Sequence, residues 1–170
     1  RLFISPKPSL TPERVPGILK HELSHLHMEQ QLGMLRWHSI APPWFQEGLA
    51  VFISDGGGAE NVTELEAIKA IAEGHTFLPD GEGSLLFRKN SGLEQHMFYR
   101  QSGLFIAFLH NKDPQAFKVL LSGIVEGNNV GTAVFGSYKT GLEELWSQFV
   151  AESKANNRFQ GTSALTRRHD

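Results

Sequence analysis

The sequence predicts one mainly helical α+β domain, and three observations lead to this prediction. Apolar residues recur at helical spacing in several segments that start at a capping residue and stop near a glycine. One short stretch with strand character, residues 1–5, stands at the start of the chain and is followed by prolines. The 170 residues are 40% hydrophobic, which suffices for one packed core but not for two substantial domains. We therefore expect a single domain over residues 1–155, with residues 1–8 as a strand or a ragged start, and a mobile tail over residues 156–170.

The helices follow one another with recognisable start and stop signals. They are expected at about residues 16–31, 43–54, 61–73, 93–111, 114–126, 130–135 and 140–155. Residues 33–42 are expected to form a loop, and residues 75–93 form either the wall of a cleft or a simple connection. The glycine run at 56–58 predicts a flexible turn. Asn61 or Thr63 caps the third helix and Thr140 caps the last one.

Several of these helices carry apolar stripes, among them the third and the fourth. In the third helix the residues predicted to be buried are Leu65, Ile68 and Ile71 or Ala72, and in the fourth they are Phe98, Phe105, Ile106 and Leu109. Each stripe follows the spacing of three and four residues that places side chains on one face of a helix.

The charge balance and the lack of cysteine limit the classes of protein that fit. The formal net charge is -2, from 16 basic and 18 acidic side chains without a basic stripe, so we expect no nucleic-acid partner. No apolar run approaches the roughly 20 residues of a membrane span. The absence of cysteine excludes disulfides and thiolate metal ligands, and we prefer a periplasmic or secreted bacterial protein over a cytoplasmic one. Because the chain starts with Arg1, we expect a fragment or a processed form, and the oligomeric state stays open.

The helix expected over residues 16–31 carries the motif His-Glu-Leu-Ser-His. Its two histidines, His21 and His25, are four residues apart and therefore lie on one face, one turn from each other. Neutral imidazoles presented in this way suit two corners of a tetrahedral zinc site. Glu22 stays near the open side of such a site, where it can take a proton from a metal-bound water. The alternative is an amphipathic helix whose histidines are solvated or hydrogen-bonded.

A second motif, WFQEGLAVF over residues 44–52, follows HELSH at moderate distance. The pair resembles the gluzincin metallopeptidases, and Trp-x-x-Glu-Gly-x-Ala is similar to their M1 aminopeptidase and peptidase MA-like branch. The resemblance implies that Glu47 is the third zinc ligand, rather than an exposed helix glutamate. It also implies a gluzincin-type zincin domain, with an active-site helix, a glutamate-bearing second helix and a C-terminal helical bundle. Gly48 would then allow the close approach of the zinc helix.

The stretch around Tyr99 resembles a third part of the same families. Tyr99 followed by Ser102 is similar to their Tyr-x-x-Ser/Ala pattern, which implies that the tyrosine donates to the oxyanion of the tetrahedral intermediate. His96, three positions earlier on roughly the same face, is the alternative donor. Tyr99 is otherwise a core or surface residue. Arg100 binds a substrate carboxylate or is simply solvated.

The partner that would orient a ligand histidine stays unassigned at this point. Thermolysin-like enzymes carry an aspartate four residues after the ligand glutamate, where this chain has Val51. Asp55, eight residues after Glu47, is the remaining candidate. His27 points to another face of its helix and is expected to be solvated. His38 is expected in the loop before Glu47, as an ordinary loop residue or at the edge of the cleft.

The function expected from these motifs is zinc-dependent hydrolysis of peptide bonds in a peptide or protein substrate. His21, His25 and Glu47 hold one zinc ion, Glu22 is the general base and Tyr99 stabilises the oxyanion. A stretch like Gly-x-Met-Glu-Asn, with which M1 enzymes grip a free amino terminus, is missing, so an endopeptidase or a narrow-specificity processing enzyme is preferred. The alternatives are a zinc-binding but non-catalytic scaffold or partner-binding domain of the same fold, and a metal-free helical interaction domain.

Overall fold

The computed structural model describes residues 12–82 and 92–166, without the side chains of residues 158–166. These residues are mainly helical, and none of them lies in a β-strand. After a short 3₁₀ turn at Pro12–Arg14, the helices are α1 (Val15–Leu32), α2 (Met34–Ile40), α3 (Pro43–Ile53), α4 (Glu64–Ala72), α5 (Gln95–Lys112), α6 (Pro114–Glu126), α7 (Val130–Tyr138) and α8 (Leu142–Thr166). The mainly helical class predicted from the sequence is confirmed. The strand expected at residues 1–8 lies outside the described residues.

The first long helix begins and ends close to its sequence signals. α1 starts at Val15 with Pro16 in its first turn, where a proline costs little because the missing N–H would have no helical partner. Gly33 follows its last residue with a backbone φ of +79°, a value that glycine adopts without strain. α1 packs directly against α3, so residues on these two helices can share one site.

Residues 33–42, expected to form a loop, contain a helix instead. α2 buries Trp37 and Ile40, which lie three residues apart on one face. The ring of Trp37 meets that of Phe45 at an edge-to-face angle of 66°. A helix of seven residues is too short to be stable alone. The burial of Trp37 and Ile40 in the core, which no local pattern reveals, therefore stabilises this helix.

The centre of the fold is the close packing of α3 against α5. A Cβ atom on Gly48 would stand 2.7 Å from the carbonyl oxygen of Ser102, and one on Gly103 would stand 2.5 Å from Cγ1 of Val51. Only glycine at both positions lets the two helices come this near. The expectation that Gly48 faces the histidine-bearing helix is therefore wrong, because Gly48 faces α5.

The fourth helix starts at a predicted cap but buries a different face. The hydroxyl of Thr63 accepts from the Glu66 amide, and the Glu66 carboxylate accepts from the Thr63 amide, which closes a capping box. The buried residues are Ala67 and Ile71, one turn apart. Leu65, predicted to be buried, is 52% exposed. Since the helix has room for one buried stripe, the small Ala67 replaces Leu65 at the close contact.

The apolar stripe predicted on α5 is confirmed for three of its four residues. Phe105, Ile106 and Leu109 are fully buried, and Phe98 is partly buried. The ring of Phe105 lies 5.3 Å from that of Trp44, 4.8 Å from that of Trp146 and 5.3 Å from that of Phe149, measured between centroids. This aromatic cluster joins α3, α5 and α8 and anchors the core beside the α3–α5 pair.

The last helix is longer than expected. α8 begins at Leu142, two residues after the predicted cap Thr140, and continues to Thr166. Residues 156–166, predicted as part of a mobile tail, therefore extend the helix, because adding a turn to an existing helix avoids the cost of nucleation. At 25 residues α8 is long, yet neither it nor any other described helix is long and apolar enough to cross a membrane.

Candidate metal centre

Three side chains predicted as metal ligands meet between α1 and α3. Nε2 of His21 lies 3.2 Å from Nε2 of His25, and Oε2 of Glu47 lies 3.4 Å from the first and 3.5 Å from the second. Within residues 12–82 and 92–166, no other set of three His, Cys, Asp or Glu side chains brings ligand atoms this close together. The structure thus brings together the three predicted ligands, in a group that could hold a metal ion.

A backbone carbonyl sets the tautomer of His21. Nδ1 of this ring lies 2.8 Å from the carbonyl oxygen of Gly57. Because a carbonyl oxygen only accepts hydrogen bonds, the hydrogen has to be on Nδ1. In the neutral ring this leaves the lone pair on Nε2, which points toward Glu47 and lies within hydrogen-bond distance of Nε2 of His25. His21 is therefore prepared to coordinate a metal through Nε2.

Glu47 also directs a carboxylate oxygen at this group, and this oxygen accepts no hydrogen bond. Its Oε2 atom is buried and has no hydrogen-bond partner, since both imidazole nitrogens lie beyond the usual 2.7–3.2 Å range. A buried carboxylate oxygen without a partner is costly. A cation between Glu47 and the two histidines would remove this cost, so the donor set fits a metal ion.

The spacing of the three atoms also fits a small tetrahedral ion. Ligands at about 2.0–2.1 Å from a tetrahedral zinc ion are about 3.3–3.4 Å from each other. The observed separations of 3.2, 3.4 and 3.5 Å lie around this value. The three ligand atoms therefore form a triangle of the size of one face of a zinc tetrahedron.

Glu47 and His25 shift each other's pKa in opposite directions. Burial would raise the pKa of Glu47, but the nearby His21 and His25 side chains outweigh it and lower this pKa to about 2. Burial would lower the pKa of His25, but Glu47, and to a smaller extent Glu22 and Glu29, raise it. The carboxylate is therefore charged at neutral pH, whereas a metal has to displace a proton that His25 holds more firmly than usual.

Glu22, the predicted general base, is exposed on α1. It follows His21 directly in the chain, and its charge contributes to the raised pKa of His25. The carboxylate is therefore close enough to the ligand group to act on it electrostatically. Its exposure lets it exchange protons with solvent.

The two predicted oxyanion donors lie in different surroundings. The ring of Tyr99 stacks on that of His21 with 6.0 Å between centroids, and its hydroxyl accepts a hydrogen bond from Gln95 at 3.2 Å. Nε2 of His96 lies 3.1 Å from the side-chain amide nitrogen of Asn61. Tyr99 is thus next to the candidate ligand His21, while His96 is hydrogen-bonded to the loop before α4.

The group that orients His21 is not the predicted one. Asp55 is exposed and has a left-handed backbone φ of 56°. Because α3 ends at Ile53, helical spacing from Glu47 no longer applies to Asp55, and the acceptor for His21 is the carbonyl of Gly57. Every residue has a backbone carbonyl, so the residue type alone could not predict that Gly57 accepts the hydrogen bond from His21. The only signal was the run of three glycines at 56–58.

The remaining polar residues near the motifs lie outside the ligand group. His27 is exposed on α1, as predicted. His38 lies on α2 rather than in a loop, with its Nε2 atom 3.5 Å from a Glu29 carboxylate oxygen. Arg100 is partly exposed, and its guanidinium donates to the backbone carbonyls of Val62 and Ala59, which follow α3.

Comparison of this chain with protein-family models, curated proteins and solved structures found no match to any of them. The gluzincin family therefore stays a resemblance in short motifs. The geometry supports a coarser statement, which is that a group of two histidines and one glutamate could hold a metal ion.

Proposed function

We propose that this chain is a zinc-dependent peptidase that hydrolyses peptide bonds in a peptide or protein substrate. The observation that carries the proposal is the meeting of three metal-binding atoms beside Glu22, an exposed glutamate that directly follows the first ligand histidine. His21, His25 and Glu47 hold one zinc ion, and Glu22 and Tyr99 act on the reacting groups. The resemblance to gluzincins supports the same activity.

The ligand set favours zinc over other common divalent ions. Two imidazole nitrogens and one carboxylate oxygen match zinc sites that keep a position open for a reactant. Calcium and magnesium prefer sites built from oxygen atoms. Bound between these ligands, zinc supplies a Lewis acid that polarises a scissile carbonyl and acidifies water.

The residues of the chain provide the proton transfers and the stabilisation of charge. The Glu22 carboxylate accepts the proton of the attacking water and passes it to the leaving amine. The Tyr99 hydroxyl donates a hydrogen bond to the oxyanion, and stacking on His21 sets where its ring lies. The hydrogen bond that this hydroxyl accepts from Gln95 strengthens it as a donor.

For the position of the cleaved bond, an endopeptidase is preferred over an aminopeptidase. An aminopeptidase needs a group that holds a free amino terminus, and the stretch that M1 enzymes use for this is missing from the chain. We therefore propose an endopeptidase or a processing enzyme of narrow specificity.

The metal content of the purified protein tests the site. Mass spectrometry should find about one zinc per chain in the wild type and much less in Glu47→Ala, which removes one of three protein ligands. Glu73→Ala is the control, because Glu73 is an exposed glutamate at the end of α4 whose charged neighbours are Lys69 and His75. A wild-type protein that stays empty after zinc is added back would reject the proposal.

Cleavage assays with Glu22→Gln separate a catalyst from a scaffold. This variant should retain zinc and lose at least about 100-fold in the cleavage rate of a fluorogenic peptide library, because the amide cannot accept the proton. Zinc-loaded wild type without cleavage of any peptide, or an unchanged rate in Glu22→Gln, would favour the non-catalytic zinc-binding domain.

A further inference from the structure

The segment that connects α3 to α4 also packs against α1. We call residues 54–62 the glycine loop, because Gly56, Gly57 and Gly58 follow one another in it. The sequence predicts a flexible turn here, but the surroundings leave little space. A Cβ atom on Gly57 would collide with the carbonyl group of Gly17, one turn before His21 on α1.

Two groups of the glycine loop determine where His21 lies. The Gly57 carbonyl accepts the hydrogen of Nδ1 at 2.8 Å. The backbone of Gly58 lies so close to the ring that a Cβ atom there would be 2.6 Å from Cε1 of His21. The first contact sets the tautomer and the second limits the position of the ring. The conformation of the loop therefore decides where Nε2 of His21 points.

The glycine loop has little conformational preference of its own. Gly56 and Gly58 have backbone φ values of +94° and +81°, and Asp55 between α3 and these glycines has +56°. Glycine visits such conformations freely and loses much entropy when it is ordered. Hydrogen bonds within the loop, such as the one from Ala59 N–H to the Gly56 carbonyl at 3.1 Å, hold it in part, and contacts from outside the loop add to them.

Arg100 on α5 supplies such contacts. Its Nε donates to the Val62 carbonyl at 2.8 Å, and its Nη2 donates to the Ala59 carbonyl at 3.0 Å. The guanidinium also lies against Gly56, where a Cβ atom would be 2.9 Å from Nη1. The rigid, planar fork of an arginine suits the simultaneous binding of two carbonyl groups. Both carbonyls lie in the second half of the loop, two and five residues after Gly57.

We propose that Arg100 is a positioning residue for the metal centre. By clamping the glycine loop, it keeps the Gly57 carbonyl against Nδ1 of His21, so that Nε2 stays unprotonated and aimed at the other ligands. The neighbouring residue Tyr99 stacks on the same imidazole, so α5 holds His21 both directly and through the loop. The predicted effect on zinc rests on the proposed function, whereas the effect on the tautomer of His21 does not require a metal.

Three variants test this role. Arg100→Met removes the guanidinium and keeps a long side chain, and Arg100→Lys keeps the charge without the fork. Arg36→Met is the matched control, because Arg36 also donates to a distant backbone carbonyl, that of Glu126 at 2.9 Å, away from the glycine loop. Long-range nitrogen–proton NMR of the metal-free proteins reads which ring nitrogen of His21 carries the hydrogen. Competition with a chromophoric chelator measures zinc affinity.

The wild type and Arg36→Met should show the hydrogen of neutral His21 on Nδ1, and they should bind zinc equally. Arg100→Met should show a mixture of the two tautomers and about tenfold or more weaker zinc binding, the size expected when the group that orients a ligand is lost. Arg100→Lys should fall between them. If Arg100→Met does not fold, the comparison is made with Arg100→Lys.

Two results would overturn the proposal. In the first, the fraction of His21 with its hydrogen on Nδ1 is the same in the Arg100 variants as in the wild type. In the second, the Arg100 variants lose no more zinc affinity than Arg36→Met does. If the wild type takes up no zinc, the proposed function fails. The tautomer comparison then still decides whether Arg100 positions His21.

Discussion

Replacing Gly58 with alanine tests how the protein holds His21, the first of the two candidate ligand histidines. Gly58 combines a left-handed φ of +81° with direct contact to the ring of His21. A methyl group at this position would lie 2.6 Å from Cε1 and 2.7 Å from Nδ1 of that ring. The substitution therefore strains the backbone and displaces a candidate metal ligand at the same time.

The two effects of Gly58→Ala have separate magnitudes. A non-glycine residue in the left-handed region costs about 1–2 kcal/mol of stability. Carbon atoms in contact need about 3.5 Å or more, so the His21 ring has to retreat by roughly 1 Å. Metal–ligand distances tolerate only about 0.2 Å, so His21 would leave the ligand group. We expect zinc affinity to fall by on the order of 100-fold.

Gly74→Ala provides the matched control. Gly74 has a φ of +87°, but a Cβ atom there would have nothing within 4 Å. This variant should lose about 1–2 kcal/mol in urea unfolding of the metal-free protein and keep its zinc affinity. If Gly58→Ala binds zinc as tightly as Gly74→Ala, the glycine loop does not hold His21 and our account of this ligand is wrong.

Three further predictions concern pH, the oxyanion donor and a helix cap. The raised pKa of His25 stabilises the metal-free protein, and this stabilisation is complete below about pH 6.5. It is lost as the pH rises through the pKa that His25 has in the folded protein. Because zinc needs the neutral ring, calorimetry should show apparent zinc affinity increasing from about pH 6 to about pH 8, and a flat profile would contradict this. Tyr99→Phe should keep its zinc and lose about 100-fold in kcat, whereas a loss in His96→Gln alone would assign the oxyanion to His96. Thr63→Ala should cost about 1 kcal/mol in urea unfolding without changing zinc affinity, and unchanged stability would show that the capping box is not stabilising.

Local signals in the sequence predicted most of the helices and the histidine pair. The stop at Gly33 and the start after Asp113 depend on neighbours within one turn, and the structure places both where they were predicted. His21 and His25 share a face because four residues make about one helical turn, whatever surrounds them. Glu47 was predicted from the similarity of its surrounding sequence to a family motif. The packing of α1 on α3 brings it to the two histidines.

Contacts between distant segments decided the rest of the candidate site. The direction of Gly48, the burial of Ala67 instead of Leu65 and the existence of α2 all depend on which helix lies opposite. No short pattern contains that information, because packing joins residues that are far apart in the chain.

The orientation of His21 shows most clearly the difference between what local sequence predicts and what distant contacts decide. The residue type and its spacing predicted a ligand, since an imidazole at this position of a helix suits zinc. Its acceptor is a backbone carbonyl of Gly57, 36 residues away. Arg100 reaches the same loop from 38 and 41 residues away. A carbonyl is common to every residue, so only the folded chain determines which one meets the ring.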